Sequence, residues 1–127
     1  MYFVNTKVNE VYDYYYKFPE NINMFNEELM FSDYLVNGND SIILALIDKK
    51  IIGFCLLNEI SKGIWVKEAV SVHSEHQRKG IATKMLFMAH KFVTDLNGKM
   101  RLSKYSKSGQ EYLHKINMQY SDSYDKL

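Results

Sequence analysis

The sequence predicts a mixed α/β (α+β) fold, and three observations predict it. Residues 41–57 hold two apolar, β-branched runs on either side of a short polar connection, the pattern of a hairpin. Residues 64–96 pass from a β-branched and aromatic run, through a polar turn containing a glycine, into apolar residues at helical spacing. The first 40 residues place apolar side chains three and four apart, as amphipathic helices do. No repeat, linker or low-complexity tract interrupts the pattern, so residues 1–127 are expected to form one domain with one packed core.

Taken in order, Tyr2, Phe3 and Val4 form a short first strand. Val8, Val11, Tyr12 and Tyr15 mark one face of a helix, capped by Thr6 or Asn9 and closed before Pro19. Ile22, Phe25 and Leu29 begin a second helix that finishes before Asn37-Gly38. Strands follow over Ser41–Ile47 and residues 51–57, joined at Asp48-Lys49-Lys50. Ile64–Val72 is the next strand. Met85, Ala89, Phe92, Val93 and Leu96 then set the buried stripe of a helix that Asn97-Gly98 stops. Residues 100–103 read as a further strand and residues 108–117 as a last helix burying Leu113 and Ile116. The nine residues after Met118 suffice for one more strand.

The turn that opens the central helix is Gln77-Arg78-Lys79-Gly80-Ile81-Ala82. A helix leaves its first-turn N–H groups unpaired, and together with the helix dipole they form an anion site whose usual occupant is phosphate. Gly80 has no side chain to block approach, and Ala82 adds little bulk. Arg78 and Lys79 bring positive charge to the rim. A plain strand-to-helix connection has the same spacing, so the residues alone leave both readings open.

The run Val70-Ser71-Val72-His73-Ser74-Glu75-His76-Gln77-Arg78-Lys79-Gly80-Ile81-Ala82-Thr83-Lys84-Met85-Leu86 resembles the acetyl-CoA signature of the GNAT N-acetyltransferase superfamily. That signature is Gln/Arg-x-x-Gly-x-Gly/Ala, after an aliphatic-x-Val strand end and before an amphipathic helix. The hairpin at 41–57, with its Ile52-Gly53-Phe54 step, is similar to the sheet centre of GNAT proteins, and the resemblance extends from Ser41 to about Met118. It implies a mixed, mostly antiparallel central sheet flanked by helices. Family members often close that sheet with two C-terminal strands, so this end is expected to be shortened, or completed by a partner subunit in a homodimer. The resemblance also implies acetyl-CoA as cosubstrate. Its pyrophosphate would sit on the N–H groups from Gln77 to Ala82, and its pantetheine arm beside the backbone of Val70 and Val72. Ser106 stands where the family has an asparagine and joins the expected cofactor-binding set. The first two helices would wall the acceptor site with Tyr14, Tyr16, Phe18 and Phe31, although aromatics at helical spacing also build cores.

Acetylating an amine requires an acceptor stripped of its proton, a thioester carbonyl held beside it, and an acid for the departing thiolate. Glu68 is the candidate base. It shares strand parity with Val66, Val70 and Val72, lies four residues before Val72 where GNAT enzymes put a water-linked base, and is a carboxylate among apolar neighbours, where desolvation raises a pKa. A strand-end glutamate paired with a lysine accounts for the same residue. A backbone N–H near Val70 would hold the carbonyl oxygen. The acid is the point of departure from the family. GNAT enzymes often carry Asn-x-x-Ala-x-x-Leu-Tyr-x-Lys-Leu-Gly-Phe, with the Tyr as acid. Here Ser106 replaces the asparagine, Leu113 occupies the tyrosine place, Asn117 the glycine, and Tyr112 falls one residue early. Tyr112 is the candidate acid, with Tyr105, His114 or water as alternatives. An N-acetyltransferase acting on a small-molecule amine, or on a protein lysine or N-terminus, is therefore one expectation. A degenerate module that binds acyl-CoA or a protein partner without turnover is the other.

Composition excludes several classes. Net charge is +1, but residues 1–40 hold seven acidic residues against two lysines, leaving −5 there and +6 in the remainder. This asymmetry suits a cationic acceptor beside a polyanionic cofactor, and it equally suits two solvated faces. Basic residues are scattered without a stacking motif, so no nucleic-acid partner is expected. No apolar run reaches membrane-spanning length and Met1 leads into no signal pattern, so a cytoplasmic protein is expected. The single cysteine, Cys55, agrees with a reducing compartment and reads as buried filler. His73 and His76 are close enough for a metal, but no carboxylate or cysteine pattern completes a site, so no metal is expected.

Overall fold

A computed structural model of the chain describes residues 1–11, 29 and 40–101. Among these residues five strands form one sheet: β1 (Tyr2–Lys7), β2 (Ser41–Ile47), β3 (Lys50–Ser61), β4 (Ile64–Val72) and β5 (Lys99–Arg101). They lie in sequence order, with the first three pairings antiparallel and β4–β5 parallel. The parallel step needs a crossover, and helix α1 (Ile81–Asp95) supplies it. This is the mixed, mostly antiparallel sheet with helices that the sequence led us to expect.

Burial assigns each face. Ile43, Ala45, Cys55, Leu57 and Trp65 pack beneath α1 against Ile81, Met85, Leu86, Ala89 and Val93. Ile42, Leu44, Phe54, Leu56 and Ala69 point the other way and are buried with Val8, Val11 and Leu29 from the N-terminal region. Alternate residues of β2 and β3 thus serve opposite layers, so these strands read as continuous apolar runs. Trp65 meets Phe92 edge to face, with ring centroids 5.3 Å apart.

Several element limits differ from expectation. β1 extends to Lys7, where Lys7 pairs with Ser41, and residues 8–11 are already helical. Asn9 is therefore inside the helix and is not its cap, while the Thr6 hydroxyl donates to the Glu10 carboxylate. The β2–β3 connection is a two-residue turn with Asp48 at φ 49° and Lys49 at φ 69°, the backbone that suits the twist of paired strands. β3 continues past Leu57 to Ser61, because polar residues at a sheet end still pair with β4. Helix α1 stops at Asp95, leaving Leu96 55% exposed instead of in the core. Its end is a Schellman motif: Asn97 takes the left-handed position at φ 57°, its N–H donates to the Thr94 carbonyl, and the Gly98 N–H donates to Val93.

Tyr14, Tyr16, Phe18 and Phe31, and the C-terminal Ser106, Tyr112 and Leu113, lie outside the described residues. Among the described residues no helix is long and apolar enough to cross a membrane.

Candidate functional site

The sheet delivers β4 to a short bridge and then to α1, and the bridge is held by its own polar groups. After Val72, the His73 N–H donates to the Ile52 carbonyl at 2.8 Å, continuing the strand by one bond. Ser74–His76 form a single 3₁₀ turn. Gln77 folds back so that its side-chain amide donates to the Val72 carbonyl at 3.0 Å. The Gln77 side chain thus braces the loop between strand and helix. Arg78 at φ 62° and Gly80 at φ 79° are both left-handed, and this pair of reversals aims the chain into α1.

Gly80 is the N-cap of α1, with no side chain capping the first turn and no acidic residue within it. Its carbonyl accepts the Lys84 N–H at 3.0 Å, the first helical bond, so the N–H groups of Ile81, Ala82 and Thr83 precede the ladder. A Cβ built on Gly80 would have no atom within 4 Å, so open space lies directly over the residue. Residues 77–80 are all exposed, and Arg78, Lys79 and Lys84 ring the turn with positive charge. Uncapped amides, a bare glycine, an open approach and a cationic rim fit a pyrophosphate.

β4 is irregular where chemistry would be needed. Leu57 pairs with Lys67 but Leu56 pairs with Ala69, so Glu68 is the extra residue of a β-bulge. The bulge inverts side-chain parity along the strand. Trp65 and Lys67 point toward α1, Ala69 points to the opposite layer, and Val70 and Val72 return to the α1 side. The simple alternation that grouped Glu68 with Val70 and Val72 is corrected by this shift. Glu68 is exposed, not set among apolar side chains, and accepts a 3.3 Å hydrogen bond from the Asn58 side-chain amide. On its other edge β4 pairs with β5 only from Ile64 to Val66. Among the described residues, no strand adjoins that edge from Lys67 to Val72.

A buried polar cluster behind the bulge was missed from the sequence. Lys67 is 3% exposed and His90 0%, and Nζ lies 3.1 Å from Nε2. Burial lowers the Lys67 amine to about 8, against a raising effect of Cys55. Burial, then the Lys67 charge, lowers His90 to about 3. At neutral pH the ammonium therefore donates and the neutral imidazole accepts. Cys55 is fully buried, as expected, and burial pushes its thiol up to about 12 despite the opposing Lys67 charge. One signal was available: His90 lies four residues after Leu86, on the apolar stripe of α1. The turning-in of Lys67 depends on the bulge and left none.

The bridging turn also corrects one reading of its histidines. Glu75 does join them: ligand atoms of His73, Glu75 and His76 all lie within 4.8 Å of one another. His73 Nδ1 accepts the Glu75 N–H at 3.2 Å, so one lone pair of the group caps the 3₁₀ turn.

Comparison with known proteins fits this geometry. A family model for the acetyltransferase (GNAT) family matches residues 7–107. The chain belongs to the GNAT acetyltransferase family. No curated protein matches the sequence. Among solved structures, a probable acetyltransferase is similar at TM-score 0.65 and 18% identity, covering 100% of this chain and 96% of that one. An aminoglycoside acetyltransferase from an uncultured soil metagenomic sample, in complex with trehalose, gives TM-score 0.62 at 15% identity, covering 99% and 91%. A ribosomal-protein-alanine N-acetyltransferase from Brucella melitensis biovar Abortus 2308 gives 0.53 at 13%, covering 94% and 90%. At these identities the likeness is one of fold. Within this GNAT fold the described candidate residues occupy one strand–turn–helix unit: Glu68, Val70 and Val72 on β4, Gln77 to Gly80 in the turn, and Ile81 and Ala82 in the first turn of α1.

Proposed function

We propose that this GNAT protein is an acetyl-CoA-dependent N-acetyltransferase that transfers the acetyl group directly to a primary amine. The observation that carries the reading is Gly80: a left-handed N-cap with open space above it, opening a helix whose first-turn amides have no side-chain cap. The pyrophosphate of the cosubstrate lies on the N–H groups of that turn, with Arg78 and Lys79 at its rim. Gln77 serves through its bond to Val72, which holds the turn against the strand. The pantetheine arm runs along β4 beside Val70 and Val72, and Ser106 belongs to the same cofactor-binding set.

Glu68 is the base in this reading, acting through water because its carboxylate is exposed beside Asn58. It takes the proton of the acceptor ammonium. The freed amine nitrogen attacks the thioester carbon, whose oxygen accepts from a backbone N–H near Val70. A C–N bond forms, the C–S bond breaks, and the CoA thiolate leaves with a proton from Tyr112 or from water. The acceptor class is a primary amine on a small molecule, or a protein lysine or N-terminus.

The replacement of the family tyrosine by Leu113 favours a second reading, a module that binds acyl-CoA without turnover. Thiol release with a panel of amines, alongside acetyl-CoA titration, separates the two. Transfer to any amine supports the enzyme, and binding without release supports the module. Tyr112→Phe is expected to reduce turnover modestly with little change in acetyl-CoA affinity. Leu113→Tyr, which restores the family residue, is expected to raise it.

A further inference from the structure

Among the described residues, the ladders on both edges of β4 break off around the place where the proposed base projects. The β3 ladder is interrupted between Lys67 and Ala69, and pairing with β5 ends at Val66. A bulge bends the strand locally, and here it sets which of two adjacent polar side chains turns inward. Lys67 is the one turned in, and it is tied 3.1 Å from His90 at the middle of α1, the helix whose first turn is the phosphate-binding end. Both side chains are buried, so the contact excludes water. An apolar pair would fill the same space but would let strand and helix slide, whereas a hydrogen bond demands a distance and a direction.

We infer that Lys67 and His90 are positioning residues, a buried tie that fixes the β4 bulge against α1 and thereby sets Glu68 relative to the cofactor turn. This rests on the reading of Glu68 as the base. When Lys67 is held inward, Glu68 is the residue that must face solvent, and the backbone at Val70 follows from the same geometry. The tie is not a device for stability. Replacing a buried polar pair with apolar side chains of similar volume is often neutral or stabilising, whereas removing one partner takes a buried hydrogen bond from the other.

That asymmetry supplies the test. Lys67→Met, His90→Leu, the double variant and His90→Gln are compared by urea unfolding, by the amide resonances of Glu68 and Ala69, and by kcat and KM for acetyl-CoA. The double variant is expected to be at least as stable as wild type. Its bulge resonances should nevertheless shift or broaden, and kcat should fall by about ten- to a hundredfold, the size of a small misplacement, with KM for acetyl-CoA unchanged. His90→Gln, which keeps an acceptor for Nζ, should retain most of the turnover that His90→Leu loses. Wild-type turnover and wild-type bulge resonances in the double variant would overturn the inference, whether or not the single variants fold. If wild type itself transfers acetyl to no amine, the reading of Glu68 is what fails, and the resonances alone decide whether the tie holds the bulge.

Discussion

Glu68 and Lys67 are chain neighbours that end on opposite sides of the solvent boundary, one exposed and one 3% exposed, because a single extra residue shifts the strand register between them. For Glu68 the consequence is kinetic. Glu68→Gln keeps shape but cannot take a proton, so steady-state rates should fall by about 10²–10⁴-fold with acetyl-CoA affinity intact. The loss should shrink as pH rises, since more acceptor amine is then already deprotonated. For the buried cluster the consequence is a pH-dependent stability. His90 titrates near 3 in the fold against an ordinary 6.5, so between those values the unfolded chain binds more protons and stability falls as pH falls. Lys67, at about 8 against 10.5, makes stability rise with pH across that window. Cys55 opposes it from pH 9 upward, because the folded thiol keeps its proton to about 12. Urea midpoints measured from pH 7 down to 4 should therefore drop more steeply in wild type than in the Lys67→Met/His90→Leu double variant. Equal slopes would mean that His90 is not held neutral by burial. The burial of Cys55 was legible from its apolar run. That of Lys67 was not, since period-2 alternation holds only while the register is unbroken.

At the scale of elements, helix α1 shows why some boundaries are legible and others are not. Its start was written in Gly80 and its stop in Asn97-Gly98, residues whose backbone preferences act locally. Asn97, not the glycine, takes the left-handed position, while Gly98 lies close against its neighbours: a Cβ there would come 3.0 Å from the Gly63 carbonyl and 3.1 Å from the Trp65 ring. Asn97→Ala should thus destabilise the protein by about 1 kcal/mol, because alanine lacks the short polar side chain that lets asparagine adopt the left-handed region, and chemical denaturation measures the loss. An unchanged midpoint would show that the C-terminal motif of α1 contributes nothing to stability. Strand ends were harder to place. β3 runs on through Asn58 and Glu59 because its neighbour continues beside it, a tertiary cause that propensity does not contain. The β4 bulge belongs to the same class: it is a property of pairing, invisible in one strand read alone.

At the scale of the whole molecule, the sheet places a bulged β4 beside a parallel but short β5, and α1 crosses between them so that its first turn faces the end of β4. The hairpin, the strand–turn–helix unit and the sheet they form could be read from the chain, because hydrophobic period and turn residues report them directly. The acceptor side was less legible. The N-terminal aromatics and C-terminal residues expected there lie outside the described residues and fit several local readings equally well, and contacts with an acceptor depend on loops more than on fold. The proposed function turns on the Gly80 turn holding the diphosphate of acetyl-CoA. Isothermal titration of acetyl-CoA into wild type and Gly80→Glu tests it, with circular dichroism confirming that the variant remains folded and Gly80→Asn as a control that tolerates the left-handed backbone. Wild type is expected to bind and Gly80→Glu to lose binding altogether, since the new carboxylate fills the open space and repels the phosphates. Wild-type affinity in folded Gly80→Glu would contradict the central claim.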